Sequence, residues 1–105
     1  NRSDYGAAYF VKMRFRFGAF LRDLNDLERQ TLQTNQGVAV LTIVDDTPAY
    51  RADILPGDII AMIDGEKVSN TETFNRMNEA HKGKQILMTL VRQGQRMDKT
   101  VQLGN

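Results

Sequence analysis

Four short runs of strand-forming residues are each cut off by turn chemistry, and this pattern limits the chain to a small sheet with tight connections. The runs are "VAVLTIV" (38–44), "IIAMI" (59–63), "QILMTLVR" (85–92) and "MDKTVQL" (97–103). β-Branched and apolar residues in runs of this length suit half-buried or buried strands. Between them lie "DDTPAYRADILPGD", "DGEKV" and "QGQ", stretches dense in Asp, Pro and Gly that turn the backbone. "DG" supplies the positive φ of a tight turn, and "QGQ" reads as the loop of a hairpin. "PAYRA" fits one short helical turn near Ala49 to Ala52.

Two isolated helices interrupt the strands. "NDLE" at 25–28 fits a capping box, with Asn25 as cap and Glu28 reaching back, so a helix is expected from Asp26 to Leu32. "SNTE" at 69–72 fits a second, Ser69 with Glu72, leading a helix that ends near His81 and is stopped by Gly83. Upstream, "YFVKMRFRF" alternates: Tyr9, Val11, Met13, Phe15 and Phe17 on one face, Lys12, Arg14 and Arg16 on the other. It is expected to be a half-buried strand. A further short strand, Ala19 to Arg22, follows Gly18. Strands joined by short turns, with two isolated helices, define an α+β fold: a small antiparallel β-sandwich or partial barrel of five to six strands capped by two helices.

At 105 residues the chain has the size of one domain. Fourteen Lys and Arg balance 13 Asp and Glu, so no basic footprint for nucleic acid is present. The longest apolar runs are too short to cross a bilayer, and no direct membrane insertion is expected. The ends, "NRSDYG" and "QLGN", read as those of a piece cut from a longer protein.

Raw material for catalysis is scarce. Without cysteine there is no thiol nucleophile, disulfide or thiolate metal site. The only histidine, His81, sits at a helix end that favours a cation. The only serines are Ser3 in a terminal tail and Ser69 at a cap, which leaves no Ser/His/Asp triad. Asp45, Asp46, Asp53, Asp58 and Asp64 lack the spacing of a calcium loop and serve as turn formers. No cofactor or metal is expected, and this chain is not expected to be an enzyme.

The stretch 37–68, "GVAVLTIVDDTPAYRADILPGDIIAMIDGEKV", resembles a bacterial PDZ domain of the type attached to HtrA proteases. The matching pieces are Gly37-Val38, Thr47-Pro48-Ala49, Ala52, Pro56-Gly57-Asp58-Ile59-Ile60, Ile63 and Gly65. Val68, Phe74, Arg92 with Gly94, and Val101 with Leu103 extend the likeness over about residues 17–103. Asp53 departs from it, standing where the family usually has glycine; aspartate tolerates the left-handed backbone such a turn needs. The likeness implies a PDZ-like domain over 17–105, preceded by an extension, 1–16, that carries the extra strand.

The likeness also implies a function. PDZ domains bind extended peptides, usually C-terminal ends, by strand addition. It places the carboxylate-binding loop on Phe17, Gly18, Ala19 and Phe20, where glycine lets successive N–H groups converge into a nest. Leu21 and Arg22 continue the peptide-pairing strand. Thr73, Met77 and Ala80 are expected on the groove side of the second helix, with Phe74 in the core. Met77 fits core filling equally well, and Phe17 and Phe20 either line the pocket for the terminal side chain or support it from behind. The expected partner is a peptide or protein C-terminus, held by a monomeric domain in the bacterial cell envelope, in the periplasm. The alternative is a regulatory or substrate-recruiting domain of a larger envelope protease, either an HtrA-type serine protease or an intramembrane metalloprotease, with its catalytic residues outside this chain. A third reading has a vestigial groove and a domain that only packs against its neighbours.

Overall fold

A computed structural model of the chain describes residues 15–34 and 36–105. Six strands and three short helices follow in the order β1 (Ala19–Asp23), α1 (Asp26–Leu32), β2 (Val38–Ile43), α2 (Pro48–Arg51), β3 (Ile59–Ile63), β4 (Glu66–Lys67), α3 (Thr71–Ala80), β5 (Gln85–Arg92) and β6 (Gln95–Gln102). All strand pairs are antiparallel, in the order β1-β2-β3-β5-β6, with β4 paired to β3. Among the described residues the sheet does not close, since β1 and β6 do not pair. Residues 9–14 of the extra strand lie outside the described residues, and Phe15–Phe17, its last part, are irregular rather than extended into a strand.

Turn chemistry sets the register. Asp64 and Gly65 both have positive φ (50° and 81°), as a two-residue hairpin turn requires, and β4 begins immediately after them. Gln93 and Gly94 (51° and 80°) do the same for β5 and β6, so the hairpin loop is two residues where "QGQ" suggests three. The capping box at Asn25 forms as expected: its side chain accepts from the Glu28 N–H at 2.8 Å, and Glu28 accepts from the Asn25 N–H at 2.9 Å. At the second helix the cap is Asn70, not Ser69. Asn70 Oδ1 accepts from the Thr73 N–H at 2.8 Å, because Asn caps as well as Ser and the chain becomes helical only at Thr71. The turn near Ala49 is α2, one residue earlier than expected. Thr47 caps it and Pro48 starts it, and both are buried.

One continuous core lies between the sheet and α3: Val38, Val40, Ile60, Ile63, Met88 and Leu90 from the strands, Phe74 and Met77 from the helix, and Phe17 from the loop before β1. Asp58 is a charged group inside this frame, with only 2% of its side chain exposed. Arg92 meets it with two hydrogen bonds, Nε to Oδ1 at 2.8 Å and Nη2 to Oδ2 at 2.7 Å, and the Leu55 N–H adds a third at 2.8 Å. This bonding holds the Arg92 guanidinium more firmly protonated than usual. Arg92 Nη2 also donates to the Asp53 carbonyl, at 2.8 Å. Asp53 takes the left-handed conformation (φ 61°) expected of the glycine it replaces, and Arg92 ties that turn to the "PGD" corner.

Candidate functional site: an open strand edge facing a helix

Among the described residues β1 pairs with β2 on one side only, and its other edge faces α3 across an open cleft of about 310 Å³. Residues Phe15 to Leu21 form one wall, and Thr71, Phe74, Asn75 and Asn78 form the other. The cleft is fastened at both ends. At the far end Asp23, the last residue of β1, accepts from the Thr71 N–H at 2.7 Å, tying the strand to the start of α3. At the near end Arg16 pairs with Glu79 of α3 at 3.1 Å, and the Arg16 carbonyl accepts from the Gly104 N–H at 2.9 Å.

The loop at the near end directs its backbone one way. The carbonyls of Phe17 and Gly18 turn into the domain, accepting from Ala49 at 2.8 Å and from Val44 at 2.9 Å. Among the described residues the N–H groups of Phe17 and Gly18 have no acceptor. Two adjacent N–H groups without an acceptor are the arrangement from which an anion-binding concavity can be made. Gly18 makes this loop possible in two ways. Its φ is +100°, and a Cβ there would overlap the side chain of Thr47, which is buried, caps α2 and bonds the Val44 carbonyl at 2.7 Å.

Alternation along β1 decides which groups the edge offers. Since the Gly18 carbonyl bonds Val44, just past the end of β2, the two-residue period turns the backbone groups of Phe20 and Arg22 toward β2, and those of Ala19 and Leu21 toward the cleft. Side chains alternate in the other sense: Ala19 and Leu21 pack on the core, while Phe20 is 56% exposed.

The expected loop and strand residues Phe17, Gly18, Ala19, Phe20 and Leu21 therefore all border the cleft. Phe17 supports it from behind, buried against Phe74 with ring centroids 5.3 Å apart. Arg22 lies on the strand but is committed elsewhere, with its guanidinium forked onto Glu28 at 2.7 and 2.8 Å. The helix wall differs from expectation. Met77 fills the core, Ala80 is exposed, and Thr73 also lies off the cleft. Phe74 serves both core and cleft floor, and the polar rim is Thr71, Asn75 and Asn78. Two stripes of α3 have similar spacing, and only packing against Phe17 selects the one that faces β1. Among the described residues no group of three or more His, Cys, Asp or Glu could hold a metal ion.

A family model described as PDZ domain matches residues 17–103. The chain is 29% identical over 90 residues to a probable periplasmic serine endoprotease, DegP-like, of Hahella chejuensis, covering 83% of this chain and 19% of that protein. It is 36% identical over 67 residues to a putative serine protease, HhoA, of Synechocystis, covering 63% and 17%. The chain thus spans about a fifth of the length of these relatives. Among solved structures, the HtrA-type protease AlgW with a tripeptide superposes at a TM-score of 0.71 and 28% identity, over 87% of this chain and 31% of that one. The PDZ domain of HtrA3 bound to a phage-derived ligand superposes at 0.73, over 87% of this chain and 85% of that one; at 18% identity it shares the fold.

Proposed function

Because the chain belongs to the PDZ domain family, we propose that its cleft captures the free C-terminal end of an extended peptide by strand addition to β1. The observation that carries this reading is the pair of free N–H groups on Phe17 and Gly18 at the head of an open strand edge. The terminal carboxylate sits on these N–H groups and that of Ala19. The peptide then runs antiparallel to β1, bonding the backbone of Ala19 and Leu21, with its last side chain over the floor made by Phe17 and Phe74. Phe20 belongs to the strand rather than to the carboxylate donors, since its own N–H is turned to β2. AlgW, a relative at 28% identity, has been solved with a tripeptide, which is in keeping with a peptide ligand for this chain. The interface is small, and micromolar affinity is expected, about −8 kcal/mol at 1 μM.

Calorimetric titration with a peptide carrying a free apolar C-terminus, and with its amidated twin, tests the reading. Backbone donors to a carboxylate are charge-assisted, worth about 1.5–3 kcal/mol each, so the free acid binds and the amide binds at least tenfold more weakly. Equal affinity for both rejects capture of a terminal carboxylate. Salt has a modest effect, because Arg16 and Arg22 are already paired with Glu79 and Glu28.

In its parent the domain serves as the recruiting or regulatory part of a larger HtrA-type protease of the periplasm, with the catalytic residues on segments this chain does not span. The fifth of each relative's length that is matched favours this, as do the names those relatives carry. The complete gene product decides it: a serine-protease domain beside this one is expected, and its absence would leave a binding module alone.

A further inference from the structure

The N–H groups assigned to the carboxylate are aimed by the carbonyls that precede them. A trans peptide unit is planar, and its C=O and N–H point in opposite directions. The Gly18 N–H shares a plane with the Phe17 carbonyl, which accepts from the Ala49 N–H at 2.8 Å. The Ala19 N–H shares a plane with the Gly18 carbonyl, which accepts from the Val44 N–H at 2.9 Å. The Phe17 N–H shares a plane with the Arg16 carbonyl, which accepts from the Gly104 N–H at 2.9 Å. Each clamp on a carbonyl therefore turns the next N–H away from the clamping group. Two of the three clamps, Val44 and Ala49, belong to one turn, and Thr47 closes it. The Thr47 hydroxyl donates to the Val44 carbonyl at 2.7 Å and accepts from the Tyr50 N–H at 3.3 Å. Its side chain fills the space that a Cβ on Gly18 would need, so the loop rests directly on it. Thr47 and Ala49 are both buried.

From this arrangement we infer that Thr47 is a positioning residue for the capture of a free C-terminus. It is assigned no contact with the ligand. It holds Val44 and Ala49 at the separation that sets the tilt of two successive peptide planes, and so aims the Gly18 and Ala19 N–H groups together. The inference rests on the strand-addition reading above. Hydrogen bonds weaken steeply as the donor angle closes, and the charged acceptor has most to lose from a misaligned donor. Rotation of the two planes therefore weakens a carboxylate more than a neutral amide in its place. The pairing to Leu21 and the apolar contact over Phe17 and Phe74 are common to both ligands and do not pass through Thr47. The hydroxyl of Thr47 thus sets the preference for a free terminus, apart from its service as the cap of α2.

Calorimetric titration of the 105-residue chain with one valine-ended peptide, as the free acid and as the amide, tests this on the wild type, Thr47→Val, Thr47→Ser and Asn25→Ala. The readout is the ratio of the two Kd values, about tenfold or more in the wild type. Both affinities of one variant scale with its folded fraction, so their ratio stays readable when a variant is destabilised. Thr47→Val keeps the shape of the side chain and loses the hydroxyl, and its ratio should fall below about threefold through weaker binding of the acid. Thr47→Ser keeps the hydroxyl and should retain most of the ratio. Asn25→Ala removes the cap of α1, a helix that clamps no carbonyl of the loop, and should lower the thermal midpoint with the ratio unchanged. Thr47→Ala repeats the measurement should Thr47→Val fail to fold. A Thr47→Val chain that loses stability but keeps the wild-type ratio overturns the positioning role and leaves carboxylate capture standing. A ratio lost as fully in Thr47→Ser, or in Asn25→Ala, also overturns the part given to the hydroxyl. A wild-type ratio near one overturns the capture reading and the positioning role with it.

Discussion

Gly18 and Gly57 both have positive φ, +100° and +95°, but they differ in what a side chain would meet. At Gly57 the space for a Cβ is open, so Gly57→Ala should lose only the backbone term, about 1–2 kcal/mol. At Gly18 the same change also drives a methyl into Thr47, and about 3 kcal/mol or more is expected once overpacking is added. Urea unfolding of the two variants separates the terms; equal losses would show that Thr47 yields freely. It follows that Gly18 cannot be substituted to probe ligand binding without disturbing the fold, which is why peptide chemistry is the cleaner test of the loop. Arg92 supplies a second residue-scale prediction. Removing it takes the partner from a nearly closed Asp58 carboxyl and frees the Asp53 carbonyl, so Arg92→Met should destabilise by about 3 kcal/mol. A loss below about 1 kcal/mol would mean that water replaces the guanidinium without difficulty. Arg92 and Asp58 were both visible in the family likeness, but a gap of more than thirty residues hid the contact between them.

Helix α1 shows how far local chemistry carries. Its limits and its capping box follow from "NDLE" because the bonds are made within four residues. What the local pattern lacks is Arg22, which reaches from β1 to fork onto Glu28. The Arg22 hydrogen bonds, with the Asn25 N–H second, lower the Glu28 carboxyl from 4.5 to about 2. A folded-state value below the unfolded one means stability that is fully present above about pH 4.5 and lost as the pH falls toward 2. Arg22→Ala should therefore be less stable than the wild type at pH 7, with the gap narrowing between pH 4.5 and 2. Urea midpoints at pH 7, 4 and 2.5 check this, and a gap that stays constant with pH would show that the pair adds nothing on folding. Helix α3 was less legible. "SNTE" offers two good caps one residue apart, and the helix starts from the second, where Asp23 takes the Thr71 N–H. Its apolar residues Phe74 and Met77 were visible, but which polar stripe would face β1 depends on the docking angle, a tertiary quantity that spacing does not contain.

At the scale of the whole molecule, the core is continuous from β6 to Phe17, while among the described residues nothing pairs with the outer edge of β1. The described sheet is thus open at β1, the edge that the proposed ligand strand would complete. A ligand that binds only the folded state stabilises it by RT ln(1 + [L]/Kd), about 2.7 kcal/mol at a hundred times Kd. The thermal midpoint should rise accordingly with a free-acid peptide and stay unchanged with the amide at the same concentration. Hydrogen exchange adds a local signature that general stabilisation lacks. In the free chain the amides of Ala19 and Leu21 face the cleft and should exchange far faster than those of Phe20 and Arg22, which face β2. Peptide should slow Ala19 and Leu21 selectively, together with Phe17 and Gly18 where the carboxylate sits. If all four strand amides slow by the same factor, the peptide stabilises the domain from some other surface. If Phe20 and Arg22 slow while Ala19 and Leu21 do not, the peptide tightens the β1–β2 ladder without pairing to the open edge, and strand addition is rejected.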